Sequence, residues 1–196
     1  MRRVRTIALV SGLMSMILSG SAVAAQAATS EPNFAAQAKA AGLTGAQAKE
    51  LQKEVDAIRA DTGGTQVAIN KIDLKGVGNI LLSLPGQSVA YEVDSIGQPP
   101  QVGAATCPAQ TFCAFAGPGA TGNRLNLFTC KTWALSKATN WFTGSGSYIN
   151  NQTTGTRAVF VDSNYNAISL SVAAQAPVTP INWSPIRYVV PCIPLA

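Results

Sequence analysis

The chain has 196 residues, 47% hydrophobic and 12% charged, with 14 basic and 9 acidic side chains, four cysteines and no histidine. That length and apolar content suffice for a packed core, while the missing imidazole excludes Ser-His-Asp and Cys-His catalysis and most catalytic zinc sites. The formal charge of +5 owes three units to Arg2, Arg3 and Arg5, and the remainder is too small for a general attraction to nucleic acid or membrane.

A basic start, a short apolar run from Thr6 to Gly20 and small residues from Ser21 to Ala28 with A-x-A spacing make residues 1–27 a secretory signal peptide, cleaved after Ala24 or Ala27. The run is broken by Ser11, Gly12, Ser15 and Ser19 and falls short of the ~20 apolar residues that span a bilayer. The protein is therefore expected to be secreted, extracellular and free of the membrane once the signal is removed.

Residues 28–86 are expected to form a helix and a β-hairpin, an accessory region or a propeptide. Thr44 and Gln47 make a capping box, and Leu51, Val55 and Ile58 follow at helical spacing with charges largely on the other face. Thr62-Gly63-Gly64 ends the helix. Two β-prone runs, Thr65 to Asp73 and Asn79 to Leu84, then read as a hairpin closed by Pro85-Gly86. Residues 87–104, with Gly97, Pro99, Pro100 and Gly103, read as a linker.

Residues 105–196 read as an all-β domain. Short strand-like runs (Thr111 to Ala116, Arg124 to Phe128, Ala158 to Asp162, Ala167 to Val172, Arg187 to Val190) alternate with turns, which implies a small sandwich or barrel. This part holds five basic residues and the single acid Asp162, a balance of +4, whereas residues 28–104 balance at −2. With one carboxylate, a glycosidase-type pair would need Glu92, Asp94 or an acid from the helix, and no enzyme is expected. All four cysteines, Cys107, Cys113, Cys130 and Cys192, lie here and point to two disulfides in an oxidising compartment. Three connectivities are open, with Cys107–Cys130 and Cys113–Cys192 the one expected. The cluster Asn150-Asn151-Gln152-Thr153-Thr154 reads first as a polar turn, with a calcium site at Asn150, Asn151 and Thr154 as the alternative; otherwise no cofactor is expected. Trp133, Trp141, Trp183, Tyr148, Tyr165 and Phe142 are expected mostly in the core, against the alternative of a sugar- or protein-binding face.

Cys107-Pro108-Ala109-Gln110-Thr111-Phe112-Cys113-Ala114-Phe115, followed by Gly119-Ala120-Thr121-Gly122, then Cys130 and Tyr148 to Thr153, resembles a family of secreted actinobacterial peptidase inhibitors of the Streptomyces metalloproteinase inhibitor type. The resemblance covers roughly residues 105 to 192. It implies a mainly β chain whose C-terminal domain is a βγ-crystallin-like Greek key. It further implies inhibition of an extracellular peptidase, a metalloproteinase, without a cofactor; a monomer is expected. The stretch from Asn150 also partly resembles the crystallin calcium signature, but Gly155 stands where that signature has serine. No stretch matches closely enough for an inhibitory loop to be carried over.

Overall fold

The computed structural model describes residues 34–93 and 106–194. The expected signal peptide and residues 94–104 of the expected linker lie outside them. Among the described residues no helix is long and apolar enough to cross a membrane.

Helix α1 (Phe34–Ala40) and helix α2 (Gly45–Thr62) come first. The Thr44 hydroxyl accepts from the Gln47 backbone at 3.2 Å and the Gln47 side chain accepts from the Thr44 backbone at 2.9 Å, which closes the capping box. Gly63, at φ 66°, ends the helix in the left-handed conformation. Leu51, Val55 and Ile58 are all buried, so α2 contributes its stripe to the main core.

The chain is mainly β. Eleven strands follow among the described residues: β1 (Thr65–Ala68), β2 (Lys71–Asp73), β3 (Gly78–Leu81), β4 (Thr111–Phe115), β5 (Arg124–Leu127), β6 (Trp133–Ala134), β7 (Ser145–Asn151), β8 (Thr156–Val161), β9 (Ala167–Leu170), β10 (Thr179–Asn182) and β11 (Tyr188–Pro194). They make an antiparallel seven-stranded sheet, β1-β2-β3-β5-β4-β7-β10, and an antiparallel four-stranded sheet, β6-β11-β8-β9. The first expected strand, Thr65 to Asp73, is divided in two. Its turn is held by buried Asn70, whose amide donates to the Leu82 and Tyr91 carbonyls at 2.8 and 2.9 Å.

The hairpin of residues 65–81 is continuous with the cysteine-bearing part because β3 pairs with β5, Gly78 opposite Leu127 and Leu81 opposite Arg124. At Gly78 the strands come so close that a Cβ would overlap the Asn126 carbonyl. Residues 87–93 lie against this sheet. Val89 bridges Gly122 in parallel, the Ser88 carbonyl accepts from Gly122 at 2.7 Å, and Ala90 and Val93 are buried.

One core joins both sheets and α2. Phe112 on β4 stacks on Tyr148 of β7 at 5.5 Å, and both meet Phe160 of β8 at 6.0 and 5.3 Å. Trp183 packs on Phe160 and Phe142, and its indole donates to the Phe115 carbonyl at 2.9 Å. The expectation of aromatics in the core holds for Trp133, Trp183, Tyr148 and Phe142, which are buried. It fails for Tyr165, which is 69% exposed.

The disulfides are Cys107–Cys113 and Cys130–Cys192, which corrects the expected pairing. Alternation along β4 sends Phe112 and Ala114 to the main core and Cys113 and Phe115 to a smaller cluster on the other face, where Cys107 packs. The second bridge follows from register. Val189 of β11 sits opposite Trp133 of β6, and continuing that antiparallel pairing by three residues brings Cys192 to Cys130.

Candidate functional site

For the inhibition that the sequence resemblance implies, a contact site needs backbone that is exposed, extended and held in place, and strand edges supply such backbone. Among the described residues four strands have only one neighbour: β1, β10, β6 and β9. Three of these edges are blunted. Strand β1 is bulged, β10 carries Pro180, and β6 is two residues long. Strand β9 has neither proline nor charge, and all four of its residues are exposed.

The chain around β9 reinforces the contrast. From Ser163 to Ile186 there is no charged side chain. Tyr165, Ile168, Leu170, Val172 and Val178, five of the seven exposed large hydrophobic side chains among the described residues, fall within that stretch. Contiguous exposed apolar surface on a small domain marks an interaction site more often than chance.

The hairpin joining β8 to β9 is rigid by construction. The Asp162 carboxylate accepts from the backbone of Asn164 at 2.8 Å and of Asn166 at 2.9 Å, and from the Asn166 side chain at 3.2 Å. These bonds, the Asn166 backbone donor foremost, hold its pKa below the ordinary carboxylate value. Tyr165 takes a positive φ of 63° at the tip, and its ring stacks on Tyr188 of β11 at 4.5 Å. The neighbouring Tyr165 side chain is the main reason the Tyr188 phenol is raised above its usual value.

The segment after β9 is pinned as firmly. The Ser171 hydroxyl accepts from the Ala158 backbone at 2.8 Å, and the Tyr148 hydroxyl accepts from the Val172 backbone at 3.0 Å. Asn150, fully buried, donates to the Val172 carbonyl at 3.0 Å, to the Ser171 hydroxyl at 3.2 Å and to the Thr156 carbonyl at 3.2 Å. Its Oδ1 accepts from the Gln152 backbone at 3.4 Å.

The residues expected as a calcium alternative are thereby placed. Asn150 and Asn151 end β7, Asn151 donating to the Cys107 carbonyl at 2.8 Å, and Thr154 lies exposed in the turn that follows. Among the described residues no three His, Cys, Asp or Glu side chains gather into a metal site. The exposed residues of β9 were not singled out from the sequence, although the uncharged stretch from Ser163 to Ile186 was visible there.

Residues 100–170 match the model of peptidase inhibitor family I36. No curated protein and no solved structure matched the chain. The match takes in β4 to β9, including the whole of the exposed hairpin and its edge strand. The family is inhibitory rather than catalytic, in keeping with the absence of histidine and the single acid of the β-domain. From β4 through β9, the chain is thus similar to peptidase inhibitor family I36.

Proposed function

We propose that the chain is exported, inhibits extracellular metalloproteinases, and meets its target through the β8–β9 hairpin and the outer edge of β9. The observation that carries this reading is an exposed, uncharged and rigidly mounted edge strand inside the segment that matches the inhibitor family. Peptidases take their substrates as extended chains, and a strand already held in that shape loses little conformational entropy on binding. The absence of lysine and arginine from Ser163 to Ile186 disfavours a trypsin-like target, whose acidic specificity pocket needs a basic side chain. Ile168 and Leu170 suit an apolar pocket instead.

The test is titration of the oxidised protein against a thermolysin-like metalloproteinase, with trypsin-like and subtilisin-like enzymes in parallel. Stoichiometric loss of metalloproteinase activity is expected. The double variant Ile168→Asp, Leu170→Asp, both positions being exposed, should weaken inhibition by roughly 100-fold, about 3 kcal/mol, with an unchanged melting temperature. Full activity of all three enzymes at large inhibitor excess would sink the proposal.

A further inference from the structure

A second concavity lies away from β9, between the Cys130–Cys192 bridge and the start of β4, with a volume of about 550 Å³. That is within the range of about 300–1,000 Å³ typical of small-ligand sites. One aromatic ring lines it, that of Phe128, which follows β5 and is 44% exposed. Beside it and the apolar Ala109 and Cys130–Cys192 bridge, the lining is of amides and hydroxyls, those of Gln110, Thr111, Gln152, Thr153 and Thr156, and neither an acid nor a base is among them.

Two features make this more than a surface dimple. Gln152 is 4% exposed, yet its side-chain Oε1 has no hydrogen-bond partner, which is costly for a buried acceptor unless a ligand or water supplies a donor. The walls are also fixed: the Gln152 carbonyl accepts from the Gln175 side chain at 2.8 Å, and the disulfide ties the strand end carrying Cys192 to the segment after β5.

We infer that this cleft binds a neutral, N-acetylated oligosaccharide. An exposed ring offers a face for the C–H side of a pyranose, hydroxyls and amides answer sugar hydroxyls, and the unpaired Gln152 oxygen suits the N–H of an acetamido group. The absence of ionised groups selects against anionic sugars, phosphates and charged peptide side chains, which would be desolvated here without a counter-charge. The inference does not depend on the inhibitory reading, since it concerns different residues.

Calorimetric titration of the oxidised protein with tri-N-acetylchitotriose, and with cellotriose as a comparison, decides it. Chitotriose should bind with a Kd between about 0.1 and 1 mM, and Phe128→Ala should weaken it at least roughly tenfold, while Phe128→Tyr keeps it. The melting temperature and peptidase inhibition should stay unchanged in both variants. Absence of heat with chitotriose at about 10 mM, or equal binding by Phe128→Ala, would overturn the site. Equal affinity for cellotriose would overturn the acetamido assignment.

Discussion

Asp162 is the residue on which the geometry of the exposed hairpin turns. Its carboxylate accepts the three hydrogen bonds that shape the tip, and protonation would turn one of its two acceptor oxygens into a donor and weaken the set. Its pKa is lower in the folded protein than in the unfolded chain, so the stabilisation is fully present above the ordinary carboxylate value and is lost as the pH falls through the lowered one. The Tyr165–Tyr188 ring contact, followed by proton NMR, should persist from neutral pH to about 4 and fade only in stronger acid. Fading near neutrality would contradict this. At the residue scale the sequence was readable where partners are local. The Thr44–Gln47 box and the Leu51, Val55, Ile58 stripe are set by spacings of three and four and stand as expected. Tyr165 was expected in the core because an aromatic usually is; here its ring finds Tyr188, 23 positions along the chain, at the surface instead.

Elements that depend on distant neighbours were harder to read. Strand β7 contains Gly146, Ser147, Asn150 and Asn151, which look like turn residues. It is nonetheless a strand with a neighbour on each side, because Gly146 leaves room for the Trp183 indole and Ser147 accepts from the Ala120 backbone at 2.8 Å. Strand β10 was hidden by Pro180, which an edge position tolerates. The helix and hairpin of the N-terminal region carry the main prediction at this scale. Strand β3 covers the edge of β5, and Glu54 of α2 accepts from the Trp141 indole at 3.1 Å and the Asn123 side chain at 3.4 Å. Without residues 34–93, Leu125 and Leu127 would lose cover, as would the core face that meets Leu51, Val55 and Ile58. At about 1.5–3 kcal/mol for each buried side chain, that loss is comparable with the whole stability of an ordinary domain. A chain of residues 94–196 should therefore show no cooperative thermal transition by circular dichroism, and, on the export proposed above, the protein collected outside the cell and sequenced at its N-terminus should retain residues 34–93. A sharp transition in the shortened chain would favour the propeptide reading.

For the molecule as a whole, the cysteine count gave two bridges, but their pairing depends on strand register that spacing does not encode. Cys130–Cys192 spans 62 positions and Cys107–Cys113 only 6. On the chain-entropy model they contribute roughly 4 and 2 kcal/mol. Chemical denaturation should show the double variant Cys130→Ser, Cys192→Ser losing more stability than Cys107→Ser, Cys113→Ser; the reverse order would mean that strain or local packing outweighs loop length. The charge-free run from Ser163 to Ile186 has a kinetic meaning as well. A face without charge adds no long-range attraction of its own, so any steering of encounters and its salt dependence must come from the +4 balance of the rest of the β-domain. In the proposed complex, tightness at the contact itself must then come from slow dissociation, a grip of apolar packing that salt does little to loosen once formed.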